Sequence, residues 1–487
     1  MKKIEINYRA DITLDLYHRV AWRDHGVQLG DTARRQMEES RQAFMRLIDS
    51  DPTVTIYGVT SGYGQFASKR LQGEERLKHA RKPPLETVAA FGTPAPKRVA
   101  RGIVLARLAN FVEGHAAISP DLAVRVANLL DAEHLPKVSL EGQGGAGEIL
   151  WAAPLIHEIA EQFPLAEKDH LSLINGSPAA SALIADAVLA MRRRLELAEA
   201  IFALSTEAIK APLEAYAEEF ETLWGDEYEA EALRRLRHLL SGGSAERRAY
   251  QAPVSYRILP RVLGQFRRAI GQAAEIASSS LSSITDNPVF LRPDPTKPDP
   301  RHPFGRVYSN GGYHNARAYP ALDNLAAACA DLCALAERQT TKLLDGRYSL
   351  LPDQLWGSDG GYIGILGFVQ VGYAEQARRC AQRTFLPGSE AGGFGQNDVA
   401  PLTGLAWMAQ EQTGRCLDSA LTVLAAVSSQ AFHVTDREAP PTLRNLLDRV
   451  RSIFPPVVSS RTYADELAAL VYDLRTMIYE RDEAVTG

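Results

Sequence analysis

Five stretches of this chain, 178–210, 261–283, 321–344, 361–384 and 402–432, each run for more than 20 residues in helix-forming composition. Residues 178–210 are rich in Ala, Leu, Met, Arg and Glu, whose side chains lose little freedom on a helix. Helices that long exceed the globular mean of about 11–12 residues and suit an extended bundle. The run Asn324-Leu-Ala-Ala-Ala-Cys-Ala-Asp-Leu-Cys-Ala-Leu-Ala336 allows close helix packing, as in large bundles shared between subunits. The first 175 residues differ. Short helices alternate there with Gly- and Pro-rich turns such as 57–64 and 91–96. The expected division is 1–175, a smaller mixed region, and 176–487, a long-helix bundle with C-terminal helices. Residues 292–304 carry five prolines and read as a stiff exposed connector.

Composition narrows the function. Of 487 residues, 45% are hydrophobic and 23% charged, as in soluble globular proteins. The net charge of -5 argues against a general nucleic-acid surface. Arg192-Arg193-Arg194 and Arg234-Arg235 lie among glutamates and read as solvated helix faces. The four cysteines, Cys329, Cys333, Cys380 and Cys416, are too few and scattered for a disulfide framework. Cys329 and Cys333 share a helix face and read as buried thiols; no His cluster nearby completes a zinc site, and no metal is expected. No stretch reads as a membrane span, and Met1-Lys2-Lys3-Ile4-Glu5 has no apolar run, so the cytoplasm is the expected location.

The chemistry concentrates in a few segments. Residues 141–157 read Glu-Gly-Gln-Gly-Gly-Ala-Gly-Glu-Ile-Leu-Trp-Ala-Ala-Pro-Leu-Ile-His. Gly142 to Gly147 satisfies G-x-G-x-x-G, but a dinucleotide site needs a buried strand before it. Residues 135–140 are short and carry Pro136, which makes a poor central strand. Tyr57-Gly-Val-Thr-Ser-Gly-Tyr-Gly64 is a loop that can present a phenol beside free backbone amides. Taken alone, Tyr57 is a loop-packing residue, Arg257 half of an ion pair, Asn175 a turn or cap, Gln251 a loop residue bonding backbone, and Tyr313 core.

Together and in order, these segments resemble the aromatic amino acid ammonia-lyases and aminomutases, the histidine and phenylalanine ammonia-lyases among them, over residues 50–440. Those enzymes cyclise an Ala-Ser-Gly triplet of their own backbone into a methylidene-imidazolone electrophile (MIO). Here the segment Gly145, Ala146, Gly147 lies over that triplet in one register and Ala146-Gly147-Glu148 in the better one. Neither holds a hydroxyl or thiol to eliminate, so the ring is not expected to form and no cofactor is implied. Tyr57 matches the family's catalytic Tyr loop. Arg107, Asn110 and Gly114-His115 match the helix that follows it. Asn175-Gly176-Ser177 resembles the family's Asn-Gly-Thr, whose Asn lines the pocket. Gln251-Ala-Pro-Val-Ser-Tyr-Arg257 resembles Gln-Asp-Pro-Tyr-Ser-Leu-Arg, whose Arg pairs with the substrate carboxylate; Val254 replaces its Tyr. Asp286-Asn-Pro288 matches, Tyr313 takes the aromatic slot, and Gln396 falls where histidine lyases carry a pocket Glu. Where those lyases place a selectivity His, this chain has Thr87 or Val88, with Phe91 following.

The resemblance implies a mainly α fold of the ammonia-lyase type, with a smaller mixed N-terminal region and a long central helical bundle. It implies a homotetramer with shared active sites and a small carboxylate-bearing substrate, aromatic or derived from an amino acid. Glu148 has two readings: a cap on helix N-termini, or an acid-base or cation-binding group where the electrophile would stand. Three functions follow. One is a lyase-like enzyme without MIO that works by Tyr-mediated proton transfer, in elimination, isomerisation, cyclisation or addition. The others are a non-catalytic binding or structural homologue and a classical ammonia-lyase. Neither a nucleic acid nor a membrane partner is expected.

Overall fold

The computed structural model describes residues 3–51, 53–132, 135–386 and 397–479. It is mainly α-helical, as the sequence leads one to expect. The first parallel strand pair joins β1 (Ile4–Ile6) to β2 (Val27–Leu29). The principal helices follow: α1 (Asp31–Ser50), α2 (Gly73–Arg81), α3 (Lys97–Ala109), α4 (Pro120–Asn128), α5 (Ile149–Ala160), α6 (Asp169–Ile174) and α7 (Pro178–Ala208). After them come α8 (Glu227–Leu240), α9 (Leu259–Leu281), α10 (Ala318–Leu344), α11 (Leu366–Cys380), α12 (Thr403–Val434), α13 (Arg444–Ile453) and α14 (Ala464–Tyr479). Between α9 and α10 the antiparallel strands β3 (Val289–Leu291) and β4 (Arg306–Tyr308) flank the proline-rich connector. The five long stretches became α7, α9, α10, α11 and α12. The fourth is shortened to 15 residues, because four glycines in 361–372 weaken its first half.

Two compact units emerge. One comprises Met1–Ala187, Ala273–Leu322 and Thr384–Met408; the other comprises Val188–Gln272, Asp323–Arg383 and Ala409–Gly487. This division is discontinuous, unlike a single cut after residue 175, because α7, α9, α10 and α12 each supply residues to both units.

In the first unit, α1 buries Ala33, Met37, Ser40, Phe44 and Ile48, a three-to-four-residue spacing that forms one stripe. Phe44 meets Phe290 of β3 edge-on, with centroids 5.4 Å apart. The whole of α3 from Val99 is buried. Asn110, which follows α3, accepts from the amides of Thr285 (2.6 Å) and Asp286 (3.0 Å) and so fixes the Asp286-Asn-Pro segment. Lys168 and Asp286 pair at 2.5 Å, both fully buried, with Ser172 donating to the same carboxylate oxygen at 3.0 Å.

In the second unit the sequence reading needs correction at Arg194. Of the Arg192-Arg193-Arg194 run, only Arg192 is exposed, while Arg194 is fully buried. Helical periodicity turns the third Arg inward, where it bonds Asp418 through Nε (2.9 Å) and Nη2 (3.2 Å) and Tyr479 at 2.8 Å. The expectation of no bilayer-length apolar helix also needs amendment. One window within Asp169–Ala208 is long and apolar enough to cross a membrane, with 94% of it buried inside the protein. All four cysteines are unpaired thiols, three of them buried.

Candidate active site

The first unit brings the Tyr57 loop, the 145–148 turn and the Asn175 segment onto one framework. The Tyr57 loop folds on itself. Val59, Thr60 and Ser61 all donate to the Ile56 carbonyl, at 3.0, 3.0 and 3.2 Å. Gly58 has φ +70°, and a Cβ there would meet Leu171 of α6 at 2.8 Å, so glycine lets the loop lie against that helix. The Tyr57 hydroxyl oxygen accepts from the Gly64 amide at 2.9 Å, which closes the loop over its own phenol.

Beneath the loop lies a group that sequence reasoning missed. The rings of Tyr63, His79 of α2 and His170 of α6 stand 5.1–5.7 Å apart, edge-on or tilted. Burial pushes His170 down to about 4, with the neighbouring His79 ring adding to the shift. Burial also lowers His79. Both imidazoles are therefore neutral near pH 7 and act as polar aromatic packing. Two isolated histidines 91 residues apart carry no pattern that a sequence could reveal.

The 145–148 turn is wound through the left-handed region, with φ of +86° at Gly145, +77° at Gly147 and +51° at Glu148. Glycine takes this conformation without strain; Glu148 takes it at a cost of about 1–3 kcal/mol. Its carboxyl group then reaches the start of α7. Oε2 accepts from the amides of Ala179 (2.9 Å) and Ala180 (3.1 Å), and Oε1 lies 3.2 Å from the latter. Those first-turn amides have no partner within their own helix, and Pro178 ahead of them contributes no N–H. The capping reading of Glu148 thus has a geometry, although it caps α7 and not its own helix α5. Burial pushes its carboxyl up to about 8, against the opposing pull of the two amides and of Arg107. A carboxyl that titrates near neutrality is suited to carrying a proton.

Arg107 of α3 ties the framework together. It is fully buried, and its Nη1 donates to the carbonyls of Ser172 (2.9 Å) and Asn175 (2.6 Å). Burial lowers it to about 10, offset by Asp286 and Glu148. A Cβ on Gly176 would stand 3.0 Å from that nitrogen, so glycine permits the approach. Asn175 follows α6, donates through Nδ2 to the Asn287 carbonyl at 3.1 Å, and keeps a buried Oδ1 without a partner. Gly176 donates its amide to the Gly147 carbonyl at 3.3 Å.

The remaining site residues fall less tightly. Tyr313 is half-buried in the turn before α10. Thr87 bonds the Pro84 carbonyl at 2.6 Å, and Val88 and Phe91 are exposed, Phe91 to 87%. Gln251 and Arg257 belong to the second unit. Both are exposed there, and Arg257 donates Nε to the Ala252 carbonyl at 3.1 Å. Gln396 lies outside the described residues. Among the described residues no group of three or more His, Cys, Asp or Glu could hold a metal ion.

Residues 145–148 do not fit a methylidene-imidazolone. Gly147 offers no leaving oxygen, and a Cβ built on it would stand 2.9 Å from Asn175 Oδ1. Glu148, in place of an unhindered glycine, commits its side chain to the α7 amides.

Comparisons with known proteins accord with this framework. The family model described as aromatic amino acid lyase matches residues 12–159 and 147–452. Histidine ammonia-lyase of Geobacillus sp. (strain WCH70) is 23% identical over 499 residues, which cover 94% of each chain. Histidine ammonia-lyase of Streptomyces griseus is 29% identical over 363 residues, 67% of this chain and 68% of that one. In fold, the chain is similar to the ergothioneine-degrading enzyme ergothionase from Treponema denticola, with a TM-score of 0.88, 18% identity and coverage of 99% and 100%. It is also similar to the Pantoea agglomerans phenylalanine aminomutase, with a TM-score of 0.86, 18% identity and coverage of 98% and 99%. The chain belongs to the aromatic amino acid lyase family.

Proposed function

We propose that this chain is a lyase that works without a methylidene-imidazolone, by Tyr57-mediated proton transfer on a small carboxylate-bearing substrate. One observation carries the reading: at 147 there is no side chain to dehydrate, and at 148 a carboxyl group sits on the α7 amides. An amine that no electrophile activates is a poor leaving group. The substrate must therefore bring a better one, such as a quaternary ammonium. The fold neighbour described as ergothioneine-degrading supports that class, since ergothioneine is a trimethylammonium betaine.

In the proposed step Tyr57 takes a proton from the carbon β to the substrate carboxylate. The C–H electron pair becomes the new C=C bond, and the leaving group departs with its own bonding pair. Asn175 orients the substrate through its free Oδ1. Arg257 holds the carboxylate as a bidentate fork. Glu148, titrating near neutrality, carries a proton or faces the departing cation. Self-association as a cytoplasmic homotetramer brings Tyr57 of one copy to Arg257 and Tyr313 of others.

Intact mass should equal that of the unmodified sequence, with no loss of water and no near-UV chromophore; a dehydrated backbone sinks the proposal. A panel of aromatic amino acids and their N-trimethyl betaines should then give thermal stabilisation and turnover only with the betaines. Tyr57→Phe should keep binding and lose turnover, whereas Arg257→Ala should lose binding. Mixing those two variants should restore part of the activity if subunits share sites. Binding without turnover favours the second reading, a ligand-binding homologue, to which the committed carboxyl of Glu148 lends weight.

A further inference from the structure

Five arginines are buried among the described residues, and four of them are answered. Arg101 and Arg107 donate to backbone carbonyls, Arg194 faces Asp418, and Arg437 faces Glu207. Arg248, 8% exposed in the connector between α8 and α9, is the exception. Its Nε and Nη1 are buried without a hydrogen-bond partner, and no carboxylate of the described residues lies within 4 Å of it. The acids that meet this connector are already faced, Glu207 by Arg247 at 2.8 Å and Arg437 at 2.7 Å, and Glu246 by Lys210 at 2.6 Å.

A guanidinium taken out of water without a counter-charge is costly to a fold. Arg248 stacks on the ring of Tyr250, with its Cζ 4.7 Å from the centroid. That contact uses the flat face of the guanidinium. Its in-plane N–H groups stay free, and those are the directions in which a fork grips a carboxylate. Tyr250 is itself 55% exposed, so the stack stands at the surface. Arg257 completes a pair. It is exposed, folds back to donate Nε to the Ala252 carbonyl at 3.1 Å, and likewise has no carboxylate of the described residues within 4 Å. Tyr250 and Ala252 are two residues apart, at most about 7 Å of chain. Both guanidinium groups thus belong to one short surface segment.

We infer that Arg248 holds a second acidic group of the substrate, which is therefore a small dicarboxylate bridging Arg248 and Arg257. The inference rests on the proposed role of Arg257 as carboxylate clamp.

Titration calorimetry of the full chain with 3-phenylpropanoate and 3-(4-carboxyphenyl)propanoate tests it, since the two differ only in the second carboxylate. The dicarboxylate should bind at least roughly tenfold tighter, the worth of one charge-assisted fork. Arg248→Gln should erase that advantage and leave the monocarboxylate affinity within about twofold, whereas Arg257→Ala should weaken both probes. Arg248→Lys keeps the charge without the fork and should retain part of the advantage. Because Arg248 has no hydrogen bond or ion pair to lose, Arg248→Gln should fold and assemble as the wild type does, which circular dichroism and light scattering check. No saturable binding of either probe, equal affinity for the two, or a gap that survives Arg248→Gln overturns the inference. So does an Arg248→Gln variant that comes apart into smaller species, because a partner copy's acid would then be the missing counter-charge. A gap that survives Arg248→Gln while Arg257→Ala weakens both probes sinks this inference alone; affinities that both ignore Arg257→Ala sink the reading beneath it.

Discussion

Glu148 of the first unit and Asp418 of the second are both buried carboxyl groups, 4% and 0% exposed, yet their surroundings answer burial in opposite ways. Asp418 meets the guanidinium of Arg194 and a further contact from Arg475 at 3.3 Å. Arg194 is held well above its ordinary range because Asp418, Tyr479 and Glu411 outweigh its own desolvation. Glu148 receives only two backbone amides and the field of Arg107, so burial dominates and its proton is retained into the neutral range. Charge met by charge makes a clamp that ties α7, α12 and α14 within their unit. Charge met by dipoles makes a group that can exchange a proton. Depth alone does not separate a structural carboxylate from a chemical one; the partner does.

Substitutions can break that contrast. Arg194→Met should be the most damaging, about 3–5 kcal/mol by chemical denaturation, because it strips a fully buried carboxylate of its main counter-charge. A loss under about 1 kcal/mol would mean that the second-unit network is not a clamp. Glu148→Gln sharpens the other arm through its pH dependence. The folded value near 8 lies above the ordinary 4.5, so the folded state holds the proton more tightly than the unfolded chain does. The stability this contributes is fully present below the unfolded value and is lost as pH rises through 8. Relative to the Glu148→Gln variant, wild type should therefore weaken steadily from about pH 5 to pH 9 in paired denaturation curves. A constant offset would refute the assignment.

Gly147→Ala should cost about 1–3 kcal/mol, from a left-handed alanine and its approach to Asn175 Oδ1. A neutral result in a thermal melt would mean the 145–148 turn is freer than described. The smallest effect belongs to Tyr57→Phe, about 1 kcal/mol for the Gly64 amide left without its acceptor. Were its stability loss instead to match that of Arg194→Met, Tyr57 would be a packing residue first.

How far the sequence carried the reading follows the same physics. The long helices were legible because helix-forming composition persists over many turns in α7, α10 and α12. The Tyr57 loop was legible because three glycines in eight residues break a helix, and two of them, Gly58 and Gly64, take positive φ. The inward turn of Arg194 was not, since the buried partner that decides it lies 224 residues away. The Tyr63–His79–His170 cluster was hidden for the same reason. Glu148 had two readings, a helix-end cap or an acid-base group, and its carboxyl lies on the first-turn amides of α7. Its retained proton, which needs the burial of the whole turn, could not be foreseen.

A Cβ built on Gly147 would stand 2.9 Å from Asn175 Oδ1, which couples any replacement there to its neighbour. In the Ala146-Gly147-Glu148 register, a hydroxyl followed by glycine needs two substitutions, at 147 and at 148. Serine at 147 collides with the amide opposite, and glycine at 148 strips two helix-end donors of their acceptor. A change at this turn is therefore felt beyond it, at Asn175 from position 147 and in the first turn of α7 from position 148.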